Sequence, residues 1–253
     1  MMKTTDKQSN KLLNPAKKLL NRDLLLPYGV PYFAYVGIAS LSQDRIPVEI
    51  AYAMKIIIVP LLMLWAWKWY VPITGPKKIS GSIIYGTLFG VIGLVIWCIL
   101  MAPFIDIKGE AWADFDFFLR AFSAVLIVPV FEEFFIRGYF LRTALQWDIN
   151  RKNQKIIDSN KNTMIAALNE TLDNNSINDV KPGAWSVMAI AISSIAFTAG
   201  HLPVEWLAAM AYSILISVLW IIRKDLLSCM IAHAVTNLTL AVYVYLSGNW
   251  GFW

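Results

Sequence analysis

Seven apolar stretches alternate with polar segments along the chain, near 24–42, 49–70, 81–105, 117–146, 185–201, 206–222 and 226–247. A helix that crosses a bilayer needs roughly 20 predominantly apolar residues. All seven reach or approach that length except the shorter fifth and sixth. The pattern predicts an all-α, polytopic transmembrane helical bundle of about seven (7–8) spans. Residues 148–183 form the one long polar loop. Within it Met164, Ile165, Leu168 and Leu172 recur at helical spacing, which predicts a short helix lying at the interface.

Composition agrees with that reading. The 253 residues are 58% hydrophobic and 15% charged, with a mean hydropathy of +0.55, whereas soluble domains carry roughly 25% charged residues. No stretch is set apart as a soluble domain, so the chain reads as a basic segment, 1–23, and one membrane domain, 24–253. The apolar run from Leu24 lacks a small-residue cleavage signature, which argues against a removable signal peptide. Cys98 and Cys229 both fall in apolar segments and read as core packing.

Charge is spread over loops rather than gathered in an arm, which argues against a nucleic-acid partner. Its distribution reports orientation. Lysines and arginines cluster before the first span and after the second, fourth and sixth, while the intervening loops are acidic or nearly uncharged. This positive-inside pattern predicts a cytoplasmic N-terminus. Tryptophans mark most span ends, Trp97 being the exception. Gly86-x-x-x-Gly90 predicts a close helix approach, read as packing within one chain rather than a dimer face. The Asn-x-Ser/Thr matches at Asn169 and Asn174 fall on the predicted cytoplasmic side and are read as chance.

Candidate chemistry begins with Glu132 and Glu133, adjacent carboxylates in an otherwise apolar stretch. A charge at membrane depth costs at least ~2.5–3.5 kcal/mol, so each needs a partner or a task. Glu133 and Arg137 share a helix face at four-residue spacing and can pair. Glu132 lies about 140° round from Arg137 and is left for other work. The two histidines of the chain, His201 and His233, fall at the edge of the fifth span and inside the seventh. His233 shares a face with Asn237.

Glu-Glu-x-x-x-Arg, Phe-x-x-x-His and His-x-x-x-Asn follow in that order on successive apolar segments. Together they resemble the CAAX-protease and bacteriocin-processing family of intramembrane proteases. The resemblance covers Glu132 to Asn237 and all three motifs are complete. It implies that Glu132 activates a water for attack on a peptide carbonyl and that His201 helps hold it. It implies further that His233 and Asn237 stabilise the oxyanion, while Glu133, Arg137 and Phe197 support the site. The expected activity is an intramembrane endopeptidase, acting on a membrane-associated or lipid-modified protein or peptide. The expected setting is a multi-pass protein in lipid, in a bacterial cytoplasmic membrane.

No cofactor is expected. A zinc site of Glu132, His201 and His233 is the alternative, since two histidines and a carboxylate suit that ion, although His-Glu-x-x-His is absent. Other readings are a non-proteolytic immunity or scaffold protein on the same fold and, third, a proton-coupled transporter; the internal symmetry that transporters usually show is missing. One expectation conflicts with the rest. Counted from the cytoplasmic span ends at ~1.5 Å per residue, Glu132 and His201 lie roughly 23 Å deep but His233 only about 10 Å.

Overall fold

A computed structural model describes residues 18–42, 45–157 and 163–253; most of the basic N-terminal segment, residues 1–17, lies outside them. The described residues form helices and no strand. Ten α-helical segments are α1 (Asn21–Ser42), α2 (Val48–Ala66), α3 (Ile79–Met101), α4 (Asp114–Phe122), α5 (Val128–Glu133), α6 (Leu141–Ile157), α7 (Thr163–Asp173), α8 (Val187–Ala199), α9 (Trp206–Arg223) and α10 (Leu226–Ser247). Large apolar side chains such as Leu61, Leu64, Leu88, Ile99 and Leu246 remain exposed on the long helices. Such faces suit acyl chains rather than water. The chain is a multi-pass integral membrane protein.

Five helices are long and apolar enough to cross a membrane: Asn21–Ser42, Val48–Trp69, Ile79–Phe104, Pro203–Arg223 and Leu226–Ser247. The fifth predicted span is the shorter apolar helix α8. The fourth differs from expectation in kind. It is a compound helix, in which π-helical segments at Ser123–Ile127 and Phe134–Phe140 separate α4, α5 and α6. The short helix expected around 164–172 is present as α7.

Glycine sets the central packing. Gly86, Gly90 and Gly93 turn one face of α3 against α10 and α9. A Cβ at Gly90 would stand 2.6 Å from the Cβ of Val235 and 2.7 Å from the Ala232 carbonyl. The Thr236 hydroxyl donates to the Gly90 carbonyl at 2.8 Å. The Gly-x-x-x-Gly pair therefore serves packing within the chain, and it fixes α10, which carries His233.

Polar anchors hold the opposite end. The Asn21 amide donates to Gln146 and to the Thr171 carbonyl, both at 2.8 Å, joining α1 to α6 and α7. Lys18 pairs with Asp179, and Arg22 with Asp173.

The conflict in depth disappears at this end. Leu226, the first residue of α10, lies beside Gly138 rather than beside Trp147. The last turns of the compound helix run past the start of α10. Counted from that shared level, Glu132 is six residues in and His233 seven, about 9 and 10 Å. The expectation failed because it counted Glu132 from Trp147 and His233 from Leu226 as though those two ends were level, whereas Leu226 sits beside Gly138.

Candidate active site

Pro129 explains the shape of the helix that carries the carboxylates. It has no N–H, and its ring clashes with the carbonyl four residues earlier. The helix widens there into the π segment Ser123–Ile127, where the Val128 N–H bonds to the Ser123 carbonyl. The Ala124 carbonyl is then left without a helical donor: Val128 is taken, and the next residue is the proline. Asn237 fills that place, its Nδ2 donating at 2.7 Å. π segments often mark functional positions; here two of them bracket Glu132 and Glu133.

Glu133 and Arg137 are fully buried and paired, Nη1 to Oε1 at 3.1 Å. Arg137 also donates through Nη2 to the Ser213 carbonyl at 2.9 Å and to its hydroxyl at 3.0 Å. Its guanidinium lies 5.3 Å from the centre of the Phe197 ring. A buried ion pair is sustained only when such further bonds satisfy it. Ser213 was not legible as a partner, because nothing in the spacing joins it to Arg137.

His233 turns Nδ1 toward Glu133 Oε1 at 3.2 Å. A carboxylate held by Arg137 only accepts, so Nδ1 carries a proton. Nε2 then faces the other carboxylate, 3.9 Å from Glu132 Oε2. The Glu132 side chain is 13% exposed, and among the described residues its Oε2 has no hydrogen-bond partner.

His201 closes α8. Its Nδ1 lies 2.9 Å from the Phe197 carbonyl. A carbonyl cannot donate, so Nδ1 carries the proton and Nε2 is an acceptor in the neutral ring. The corner after it is held twice: Glu205 accepts from the Leu202 N–H at 2.9 Å, and Trp206 donates to the His201 carbonyl at 3.1 Å. Gly200 is required by close approach, since a Cβ there would fall 2.0 Å from the Tyr32 hydroxyl.

Glu132, His201, His233, Asn237 and Phe197 all line one cavity of about 280 Å³. Glu133 and Arg137 stand behind it. Sequence reasoning missed the cavity's other wall: Tyr35, Tyr52, Lys55, Trp97, Arg120 and Trp253. Among the described residues no group of three His, Cys, Asp or Glu side chains converges closely enough to hold a metal ion.

Residues 114–239, from the first residue of α4 to the middle of α10, match the family described as type II CAAX prenyl endopeptidase, Rce1-like. The chain belongs to that family. All three motifs fall inside the matched segment, while α1 to α3 precede it. No curated protein and no solved structure matches the chain. Membership in the CAAX endopeptidase family makes it an intramembrane protease.

Proposed function

We propose that this protease hydrolyses its substrate with a water activated by Glu132, without a metal, and that the substrate is a lipid-modified, prenyl-type protein or peptide held at the membrane. The observation that carries this reading is the Glu132 carboxylate sharing one cavity with two imidazoles, with the neighbouring Glu133 already committed to Arg137.

Glu132 takes a proton from the water as its oxygen bonds to the peptide carbonyl carbon. His201 accepts a hydrogen bond at Nε2 from the O–H the water keeps, and so orients the attacking lone pair. The carbonyl oxygen becomes an oxyanion. His233 donates to it from Nε2, which requires the ring to hold both protons; the Glu133 carboxylate at Nδ1 offsets that charge. Asn237 offers its remaining amide proton and, through Ala124, holds the π segment in place. Glu132 then returns its proton to the departing amine as the C–N bond breaks. Each fixed donor in a water-poor site contributes about 3–4 kcal/mol to such an intermediate.

The family description names prenyl endopeptidases, which supports a substrate carrying an isoprenoid near the cut; the setting read for it is a bacterial cytoplasmic membrane. The test is to express the chain and its Glu132→Gln variant in a cell deleted for it, and to map protein termini in the membrane fraction. A terminus that arises with the native chain and not with the variant supports the reading. Identical termini in both would overturn it.

A further inference from the structure

Arg142 lies in the first turn of α6, about 15 Å along the compound helix from Glu132. It lines a separate cavity of about 220 Å³ that shares no residue with the first. Three loops close this space and contribute Thr74, Asn178, Lys224 and Asp225 to its wall. Only 4% of Arg142 is exposed. Its Nη1 donates to the Ile177 and Val180 carbonyls at 3.3 and 3.4 Å, and its guanidinium lies 5.2 Å from the centre of the Trp220 ring. Nε has no hydrogen-bond partner. Among the described residues neither Arg142 nor Lys224 has an ion-pair partner. Long bonds to carbonyls and an aromatic face offset only part of the cost of burying a cation.

Lys224 is held at the same cavity by an uncommon backbone. Among the described residues it alone, apart from glycines, has a positive φ, 63°. It caps the end of α9, where glycine or asparagine is the usual choice. The neighbouring loops give up side chains to fit it: a Cβ at Gly183 would stand 2.5 Å from Lys224 Cγ, and one at Gly75 2.0 Å from the Lys224 carbonyl. The Leu226 and Leu227 N–H groups both donate to the Ile73 carbonyl at 3.0 Å, which locks this turn to the loop after α2. Asp225, the one carboxylate on the wall, is already engaged: Oδ1 accepts from the Ser228 N–H at 2.7 Å and Oδ2 from the Ser82 hydroxyl at 2.9 Å. Two cations, a hydroxyl and an amide are left to meet a ligand. That set suits a compact oxyanion, and a phosphate group can take a guanidinium fork, an ammonium and neutral donors together. The volume is below the ~300 Å³ at which pockets for drug-sized ligands begin, so one phosphate group fits the space better than a large anion.

We propose that Arg142 and Lys224 form a phosphate-binding site, filled by the headgroup of an anionic membrane phospholipid or by the free anion. Its position suits a headgroup. Arg142 stands one turn past Gly138, which is level with the first residue of α10, and Lys77, Lys78 and Lys181 occur in the same loops. A bound phosphate bridges the helix that carries Glu132 to the start of the helix that carries His233, and so stabilises the folded bundle. The site does not depend on the role of Glu132.

The test follows the melting temperature of the full chain, purified in dodecyl maltoside, against inorganic phosphate, short-chain phosphatidylglycerol and short-chain phosphatidylcholine at matched ionic strength. A saturable rise of several degrees is expected with phosphatidylglycerol, and less than about half of it with phosphatidylcholine, whose choline brings a further cation to the site. A rise with phosphatidylglycerol but not inorganic phosphate supports a lipid headgroup; a rise with inorganic phosphate supports the free anion as a ligand. Lys224→Asn removes the charge but keeps a residue suited to the left-handed cap. It should melt within about two degrees of the native chain without additive, yet lose at least about half of the rise. Lys224→Arg should retain the rise and Arg142→Gln should abolish it; if Arg142→Gln does not fold, the contrast between the two Lys224 variants decides. No rise with either phosphatidylglycerol or inorganic phosphate would overturn the site. So would equal rises with the two lipids and none with inorganic phosphate, or a rise unchanged in Lys224→Asn.

Discussion

His233 bonds to Glu133, not to Glu132: its Nδ1 stands 3.2 Å from the paired carboxylate and its Nε2 3.9 Å from the unpaired one. The adjacent glutamates are therefore divided between a buried structural network and an open cavity. Glu133→Gln should cost about 3–5 kcal/mol, because it leaves Arg137 charged and buried without its partner. Glu132→Gln should cost within about 0.5 kcal/mol, since no bond within the protein is lost at Oε2. Thermal unfolding of the two variants in one detergent checks the contrast; equal destabilisation would contradict the division.

Asn237 and Pro129 should be coupled across the bundle. In Pro129→Ala the restored N–H can reach the Ala124 carbonyl, making the Asn237 amide redundant there. Asn237→Ala should then destabilise the native background by about 1–2 kcal/mol more than the Pro129→Ala background. A double-mutant cycle on unfolding measures it, and zero coupling would show that the orphaned carbonyl is not why Asn237 points at Ala124.

Gly90 and Gly37 give opposite expectations for one substitution. Alanine at Gly90 must displace Val235 or the Ala232 backbone, at about 1–3 kcal/mol. Gly37 in α1 has open space around it, so alanine there should be neutral or stabilise by roughly 0.5–1 kcal/mol. The melting temperature should fall for Gly90→Ala and hold or rise for Gly37→Ala, and Gly90→Ala should also lose activity, because α10 carries His233.

Asp148 supplies a pH dependence outside the membrane-spanning part. Burial pushes its carboxyl up, but bonds from Lys152, Arg151 and Ser186 outweigh burial and hold it down at about 2. A depressed carboxyl contributes stability that is complete above the unfolded pKa near ~3.9 and is lost as pH falls toward 2. Asp148→Asn should therefore lower stability at pH 7 by on the order of 1–2 kcal/mol, allowing for the exposed partners. The gap from the native chain should close between pH 4 and pH 2 in parallel melts. A gap independent of pH would exclude the charge as its source.

The reach of the sequence follows from which signals are local. Glu133 and Arg137 lie one helical turn apart, and their pairing follows from that spacing alone. Glu132, His201 and His233 drew notice because polar groups in apolar runs are costly wherever they end up. Lys55 and Arg120 drew none, since each sits near a predicted span end where basic residues are ordinary and only tertiary packing turns them into one cavity. The π segments were half visible: Pro129 stands three residues before Glu132 and announces a disrupted helix, but the partner that rescues Ala124 lies more than a hundred residues away. The level of α10 was not local at all, being set by Leu226 against Gly138.

The central claim is that Glu132 activates the water. It is met most directly by kcat for a farnesylated peptide on purified native and Glu132→Gln protein in nanodiscs, with melting and peptide affinity followed in the same samples. The account predicts a loss of at least about 10³-fold in kcat, with melting and affinity preserved. Turnover by the glutamine variant within a few-fold of native would contradict it.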